Sequence, residues 1–250
     1  MLMTSLRQFV RGTFNMYVTI MVIFDGYPSD GAKENTKSAE RLRRSKKHIS
    51  ADVHFDETMA AQVSLERFLA NTNNKSRLIT MLKQKMEQAA IEVKQAEEDA
   101  DVLIVNTAIS LCATFEHVIV VCEDVDLLVL LTALSPPQSN IYIQKPGRGK
   151  TAEKLYSANC FKYKEAAKNI LFLHAFSGCD TTSSLFNQGK IKFCSLVEKN
   201  PQLNAIISVY KNEAAKLEDI EDAGARFLVT LYGGDMEKES LEEIRYQRFA

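Results

Sequence analysis

Short apolar runs that end in acidic residues recur along this 250-residue chain. The clearest lies at residues 117–126, HVIVVCEDVD, where the four β-branched residues VIVV stand together with no charge between them. Such a run predicts a strand that is buried on both faces, as in a parallel sheet flanked by helices. The acids that follow, Glu123, Asp124 and Asp126, then lie at the carboxyl end of a strand, where open α/β sheets bind ligands.

Three other apolar segments predict further strands. Residues 16–24, MYVTIMVIF, end directly in Asp25, while residues 91–93 and 141–143 are shorter. The first run is only nine residues long, which is too short to cross a bilayer, and it lacks a small-residue cleavage pattern. We therefore interpret it as a strand rather than a signal peptide, and we expect no transmembrane segment.

Helical spacing of apolar residues connects these strands. It predicts amphipathic helices at 58–70 and 75–90, whose Leu and Met stripe we assign to core packing. Alternating strands and helices predict an α/β fold with a mostly parallel central sheet flanked by helices, followed by a helical C-terminal extension. Other helices are predicted in the acidic-start segment after residue 101, directly after Asp126, from residue 151, at 163–176 and at 211–250.

Composition narrows the class of protein without changing the fold. Hydrophobic residues make up 46% and charged residues 25% of the chain, which is ordinary for a globular domain, and the net charge is −1. The five cysteines are scattered, and none lies at zinc spacing, so neither a disulfide framework nor a zinc site is predicted. Reduced thiols favour an intracellular protein.

Positive charge is concentrated in residues 37–47, KSAERLRRSKK, which hold six basic residues against Glu40 alone. This segment is either a solvated helix face or a surface that contacts phosphates. Residues 145–150, KPGRGK, form a second basic segment, predicted to be a turn. It lacks the full spacing of a phosphate-binding P-loop, and we reject that interpretation.

Acidic residues cluster at four places, each next to an apolar run or a predicted helix start. Taken singly, these acids are explained by helix capping and turn chemistry. Taken together, several carboxylates at one sheet edge need compensating positive charge, which Mg²⁺ or Mn²⁺ supplies through oxygen ligands. Paired metals of this kind serve phosphodiester hydrolysis. The four places are Asp25; Glu98, Asp99 and Asp101; Asp124 and Asp126; and Asp180.

The geometry within each cluster is predicted from local structure. Asp124 and Asp126 would point to one side if the strand geometry persisted through them. Within a regular helix Glu98 and Asp101 would share a face, whereas Asp99 and Asp101 would diverge. Gly178 suits a helix C-cap, and Asp180 or a following hydroxyl residue would cap the next helix.

Four segments resemble flap-endonuclease-type and PIN-like nucleases. FDGYPSDGAKENTKSAERLRR is similar to their strand-end aspartate followed by a basic helix, and EEDADVLIV is similar to their paired acids at a helix start. CEDVDLLVLL resembles their strand-end acid pair, and HAFSGCDTTSSLFNQGK resembles the late segment whose aspartate completes the metal site. The resemblance runs from about Tyr17 to Lys192. The chain also looks like a multi-copy animal family with HALTGCDTTS-like and KPGRGK-like motifs, often linked with mobile elements.

The resemblance implies a PIN-like nuclease domain at 1–200 and a helical extension at 201–250. It implies a two-metal nuclease, using Mg²⁺ or Mn²⁺, that cleaves branched or single-stranded nucleic acid, DNA rather than RNA, in the nucleus. The catalytic residues would be Asp25, Asp99, Asp101, Asp124, Asp126 and Asp180, and Glu98 would join them as a metal ligand. The implied nucleic-acid contacts are Lys37, Arg41, Arg43, Arg44, Lys47 and Lys190.

Two departures from the family pattern leave alternatives open. Residues 187–190 read NQGK where flap endonucleases carry a Gly-x-Gly-Pro turn that grips duplex backbone. Residues 1–13 do not resemble the strand that supplies an additional metal-binding aspartate in those enzymes. Either the chain is an incomplete copy of the domain that lacks its first strand, or another acid substitutes for that aspartate. The chain is then an active nuclease, a catalytically degenerate PIN-like domain that binds nucleic acid or protein, or a generic α/β domain whose acids are helix caps.

Overall fold

The computed structural model describes residues 19–26, 51–56, 58–60 and 63–249. The chain forms two compact units, of which the first ends at Ile104 and the second begins at Val105. Each unit combines short strands with helices, and two of the three strand pairs described are parallel. The predicted α/β fold class is therefore confirmed. The strands lie in two small sheets, one in each unit.

The first unit contains β1 (Met21–Phe24), α1 (Leu65–Leu69), α2 (Thr72–Gln88), β2 (Glu92–Gln95) and the start of α3 (Ala100–Leu111). Strands β1 and β2 pair in parallel, with Met21 opposite Glu92 and Phe24 opposite Gln95. Because the strands are parallel and in register, their carboxyl ends meet at one edge of this sheet.

Helix boundaries in the first unit follow from capping residues. Helix α2 begins three residues before the predicted start because Asn71 accepts hydrogen bonds from the backbone of Asn73 and Asn74. Helix α1 is shorter than predicted, since Ser64 caps it and residues 58–60 are not helical. The side chain of the buried Asn74 bonds the backbone of residues 51 and 53, which ties that segment to α2.

The second unit opens with β3 (Val118–Val121), α4 (Val125–Leu134), β4 (Ile141–Lys145) and β5 (Lys154–Ser157). Strand β3 pairs in parallel with β4, and β5 pairs antiparallel on the other side of β4. Helix α4 ends at Ser135, whose extended backbone (ψ 135°) is the conformation expected before a proline.

The burial predicted for β3 is wrong. Its first three residues are only half-buried, and Val121 is 56% exposed. Strand β4 is the buried one instead, with Ile141 and Ile143 almost fully inaccessible. A run of β-branched residues identifies a strand correctly, but its place in the sheet depends on its neighbours, and β4 has β3 and β5 on its two sides.

The helix predicted from residue 151 is also wrong, because β5 occupies this region. Residues such as Ala152, Glu153 and Leu155 favour a helix by intrinsic propensity. Pairing with β4 overrides that preference, since the free edge of the buried strand carries backbone groups that need hydrogen-bond partners. Residues 145–154 consequently form a hairpin rather than a strand followed by a helix.

The remaining helices of the second unit build its core. They are α5 (Lys164–Lys168), α6 (Ile170–Phe176), α7 (Lys190–Lys199), α8 (Leu203–Tyr210), α9 (Leu217–Leu231) and α10 (Leu241–Phe249). The helix predicted at 163–176 is thus two helices, broken at Asn169. The side-chain amide of this buried residue donates hydrogen bonds to Oδ1 of Asn204 and to the backbone carbonyl of Glu165.

Aromatic side chains fill the centre of that core. Phe193 of α7 and Phe227 of α9 are both fully buried and stack with their ring centroids 5.9 Å apart. Phe172 and Phe176 of α6 meet Phe227 edge-on at 5.2 and 5.1 Å. Leu203 of α8 joins the same cluster, so the predicted helical extension is present and packs in the core of the second unit.

Three further expectations concern the described residues as a set. None of the five cysteines, all of which lie within the described residues, forms a disulfide. None of the helices in the described part of the chain is long and apolar enough to cross a membrane. The basic segment at 37–47 lies outside the described residues, as does the beginning of the strand predicted at 16–24.

Candidate functional site

In the first unit, Asp25 lies directly after β1 and against the start of α3. Its Oδ1 atom accepts a hydrogen bond from the backbone nitrogen of Ala100 at 3.1 Å. The next residue, Gly26, donates its N–H to the carbonyl of Glu98 at 2.8 Å. A Cβ atom at Gly26 would lie 2.1 Å from the carbonyl oxygen of Ala96, so only glycine allows this approach. The close contact places Asp25 at the edge where β2 leads into α3.

The acids at the start of α3 occupy the same edge. Asp99 precedes the helix, and its Oδ1 atom accepts a hydrogen bond from the backbone of Asp101 at 3.3 Å. Asp101 stands in the first turn, where negative charge complements the helix dipole. Glu98 is exposed and is held to Gly26 through its backbone. The first unit therefore brings Asp25 to the helix start that carries Glu98, Asp99 and Asp101.

In the second unit, Asp124 and Asp126 stand between β3 and α4. The strand geometry does not persist through these residues, because β3 ends at Val121 and α4 begins at Val125, so the alternation of strand side chains does not apply to them. Asp124 is the N-cap of α4, and its Oδ1 atom accepts the backbone N–H of Asp126 at 2.9 Å. The two carboxyl groups are thus related by a cap and a first helical turn, not by strand alternation.

His174 of α6 is the residue that sequence reasoning missed. Its Nε2 atom lies 3.3 Å from Oδ1 of Asp126, and its side chain is only 13% exposed. Burial and the charge of Lys190 lower the pKa of His174, while the carboxylates of Asp126, Asp124 and Asp180 act in the opposite direction. All three aspartates predicted for this unit therefore act electrostatically on one imidazole. A lone histidine on an apolar helix has no sequence pattern that would have marked it.

The imidazole is oriented by this environment. The lowered pKa of His174 favours the neutral imidazole, in which Nε2 can donate to the Asp126 carboxylate 3.3 Å away only if it carries the proton. The Nδ1 atom is buried and finds no hydrogen-bond partner among the described residues. His174 can thus fix the direction of the Asp126 carboxyl group.

Asp180 lies in a tight turn after α6, and its predicted capping role is wrong. The turn closes through a bridge between Cys179 and Thr182, whereas the next helix, α7, begins at Lys190 with Gly189 as its N-cap. The prediction for Gly178 is correct: it follows the helix end with a φ of +101°, a left-handed conformation that suits glycine. This geometry leaves Asp180 exposed.

The side chain of Lys190 holds the turn in place. The Lys190 ammonium group donates hydrogen bonds to the Gly178 carbonyl and, at 3.3 Å, to Oγ of Ser177. A contact of Lys190 with nucleic acid stays a prediction. Hydrogen bonds from the hydroxyl groups of Thr181 and Thr182 lower the pKa of the Cys179 thiol to about 7.

Glu123, which comes before the two aspartates in the segment after β3, forms an ion pair. It forms two contacts with the Arg148 guanidinium, at 3.1 Å to Nε and 2.5 Å to Nη2. This pairing separates Glu123 from the two aspartates that follow it. The predicted nucleic-acid contacts Lys37, Arg41, Arg43, Arg44 and Lys47 lie outside the described residues.

The donor chemistry of the acids suits a hard cation, but a complete ligand set is not assembled. Carboxylate oxygens are the preferred ligands of Mg²⁺ and Mn²⁺. Among the residues that the structure describes, no three His, Cys, Asp or Glu side chains lie close enough to hold a metal ion. Each unit, taken by itself, thus carries carboxylate donors at one sheet edge without forming a closed site.

Comparison with known proteins bears on the fold. No protein-family model matches the chain, and no curated protein matches it. A solved structure of the T5 D15 protein, co-crystallised with metal ions, matches 93% of this chain and 80% of its own, with a TM-score of 0.51 and 14% identity. The catalytic core of Rad2 in complex with a DNA substrate matches 84% of this chain and 59% of its own, with a TM-score of 0.40 and 14% identity. The chain therefore shares the α/β fold of the T5 D15 protein.

Proposed function

We propose that this chain is a divalent-metal-dependent nuclease that cleaves phosphodiester bonds in branched or single-stranded nucleic acid, DNA rather than RNA. The observation that carries the proposal is the position of the acids. Asp25 is held against the acidic start of α3 in one unit, and in the other Asp124, Asp126 and Asp180 act on the single imidazole of His174. Helix capping alone does not require four such clusters on one chain.

The chemistry of these side chains fits Mg²⁺ or Mn²⁺, in a site for two ions. When bound, such a pair lowers the pKa of a coordinated water and stabilises the leaving oxygen of a phosphodiester. The residues that would supply ligands to the ions are Asp25, Glu98, Asp99 and Asp101 in the first unit, and Asp124, Asp126 and Asp180 in the second.

His174 has a distinct part in this proposal as a positioning residue. It contacts Asp126 from a mostly buried place on α6, so it restricts the rotamers of that carboxylate. A carboxylate that is already held in one orientation loses less conformational entropy when it binds a cation. The T5 D15 protein, with which this chain shares its fold, was crystallised with metal ions, and that supports a metal-dependent role here.

The test is cleavage of labelled flap, hairpin and single-stranded substrates, made of DNA and of RNA, with Mg²⁺ or Mn²⁺. The double variant Asp124→Ala, Asp126→Ala and a chelated wild-type sample are the controls. We expect cleavage by the wild type that both controls lose, and faster cleavage of DNA. Wild-type cleavage no faster than that of the double variant would refute the nuclease.

A second candidate is a catalytically degenerate domain that binds nucleic acid or protein. It is favoured by the finding that no three metal-binding side chains converge among the described residues. Asp25, Asp99 and Asp124 also each accept a backbone N–H, a role that explains their presence without a metal. Binding of the same substrates with no metal-dependent cleavage would select this candidate.

The domain division and location follow from the nuclease proposal. We propose a nuclease domain at residues 1–200 with residues 201–250 as its helical extension, acting inside the cell and in the nucleus. Imaging of a fluorescent fusion tests the location, and exclusion of the fusion from the nucleus would contradict it.

A further inference from the structure

The hairpin of β4 and β5, residues 145–154, is a basic surface that the proposed function has not used; we call it the basic hairpin. It carries Lys145, Arg148, Lys150 and Lys154, and all four residues are exposed. The Arg148 side chain is 81% exposed even though it pairs with an acid. Four cations therefore project from a ten-residue hairpin in a chain whose net charge is −1.

The tip of the basic hairpin is built by two glycines. Gly149 has a φ of +57°, and a Cβ atom at Gly147 would lie 2.6 Å from the carbonyl oxygen of Thr151. The turn closes with a hydrogen bond of 2.9 Å from the Thr151 nitrogen to the Arg148 carbonyl. A Cβ atom at Gly149 would meet nothing within 4 Å, so no other part of the described chain packs against that side of the tip.

The stem of the hairpin places two like charges side by side. Lys145 and Lys154 are directly opposite in the antiparallel register. Like charges at such positions destabilise a strand pair, and an anion between them would remove the repulsion. In the part of the chain that the structure describes, no carboxylate pairs with Lys145, Lys150 or Lys154. Stability of the hairpin does not account for this charge arrangement.

The acids near the hairpin are already engaged. Glu153 accepts a hydrogen bond from the Gln144 side chain at 2.9 Å, and Glu123 is bound by Arg148. Because Glu123 directly precedes Asp124, the Glu123–Arg148 ion pair also links the tip of the hairpin to the segment that carries the aspartates. The Cys122 nitrogen donates to the Gln144 carbonyl at 3.0 Å, which continues the β3–β4 pairing up to the acids. The lysines thus stand at the same end of the sheet as Asp124.

We infer that the basic hairpin binds the phosphate backbone of a nucleic acid, and that it delivers the strand to the edge of the sheet where Asp124 and Asp126 stand. The inference rests on the proposed function for the source of the phosphates. Three ammonium groups within one hairpin can each neutralise a phosphate and release its condensed counterion. Such contacts set the register of the strand and carry no sequence preference.

The experiment measures binding without cleavage. Fluorescence anisotropy follows a labelled single strand and a labelled duplex in a chelator, between about 50 and 200 mM salt. The test variant replaces Lys145, Lys150 and Lys154 with Gln. Two controls accompany it, one with Arg at the same three positions and one with Gln at three exposed lysines elsewhere in the second unit, Lys162, Lys199 and Lys216.

We expect the Gln variant to reduce the slope of log affinity against log salt by about 2 to 3, because each lost phosphate contact removes about 0.7 to 0.9. At about 0.1 M salt this corresponds to binding that is weaker by roughly a hundredfold. The Arg variant should bind as the wild type does. The control at Lys162, Lys199 and Lys216 should change the slope by less than about one contact.

Two further measurements distinguish phosphate binding by the lysines from a structural role of the same lysines: the melting temperature of the Gln variant, and the affinity of a variant that should bind more tightly. The Gln variant should melt no lower than the wild type, because it removes the repulsion between Lys145 and Lys154. The Glu123→Gln variant releases Arg148 from its acid and should bind nucleic acid more tightly. An unchanged salt slope in the Gln variant, or a loss equal to that of the distant control, overturns the inference. A wild type that does not cleave but still binds through the hairpin refutes the nuclease and leaves this inference standing.

Discussion

Asp124 has two roles that one pair of substitutions can separate. It caps α4 through Oδ1, and the proposed function makes it a metal ligand. Asparagine retains an oxygen that caps a helix about as well as aspartate does, but it removes the negative charge. Alanine removes both the cap and the charge. Asp124→Asn and Asp124→Ala therefore differ in the cap alone.

The expected magnitudes follow from the position of this residue. Loss of an N-cap to alanine costs about 1 kcal/mol of the free energy of unfolding. Loss of the charge at the helix start costs about 0.3 to 1 kcal/mol at low salt and affects both variants. In a protein of this size each kcal/mol lowers the melting temperature by about 2 to 4 °C. The buried Leu127, Val129 and Leu131 hold α4 in place, so neither variant should unfold the second unit.

The assay pairs urea unfolding with cleavage of a labelled flap substrate in Mn²⁺. We expect Asp124→Asn to unfold within a few tenths to 1 kcal/mol of the wild type and to lose cleavage. The alanine variant should lose cleavage and about 1 kcal/mol more of stability. Cleavage by the Asn variant at the wild-type rate would mean that Asp124 is a cap and nothing more. Equal stability of the two variants would refute the capping argument.

Three further predictions test the packing and the chemistry around the site. Gly26→Ala should destabilise the first unit by at least about 1 to 3 kcal/mol, because its Cβ would lie 2.1 Å from the Ala96 carbonyl oxygen. Hydrogen exchange of the β1 and β2 amides measures the loss of stability, and amides as protected as those of the wild type would contradict the prediction. Phe227→Ala should lower the free energy of unfolding, measured by urea titration, by about 3 to 5 kcal/mol, since the ring is fully buried. Phe227→Leu leaves a smaller cavity and should cost less, and equal costs for the two variants would contradict this dependence on buried volume. The alkylation rate of Cys179 should rise with pH around a midpoint near pH 7, because hydroxyl hydrogen bonds lower the thiol pKa to about 7 and the thiolate is the reactive form. Thr181→Val removes the largest of these hydrogen bonds and should move the midpoint to higher pH, and an unmoved midpoint would contradict this cause.

Features that depend on neighbours in the sequence were predictable. The run of β-branched residues before Glu123 marked β3 at its observed bounds, because strand formation by such residues is a local preference. Gly178 marked the end of α6, since only glycine adopts its left-handed backbone at little cost. The acids of the candidate site stand at strand ends and helix starts for the same reason, as carboxylates cap helices.

Features that depend on distant residues were not predictable. The helical composition of residues 151–157 gave way to β5 because pairing with the edge of β4 satisfies more backbone groups. The orientation of the Asp124 side chain relative to that of Asp126 was not predictable, since α4 begins one residue after the cap and a helical turn replaces strand alternation. His174 carries no local signal, and its role exists only because α6 packs beside the start of α4.

The sequence by itself determined the fold class of this protein, the bounds of β3, and the position of its acids next to strand ends and helix starts. Those properties follow from backbone preferences, capping and composition, which act over a few residues. Only the tertiary structure decided that β4 is the buried strand, that Asp124, Asp126 and Asp180 act on one imidazole, and that the basic hairpin lies at the end of the sheet where β3 leads to Asp124. The burial of a residue and its electrostatic contacts depend on residues that are distant in sequence and that folding brings together. No single stretch of the chain therefore determines them.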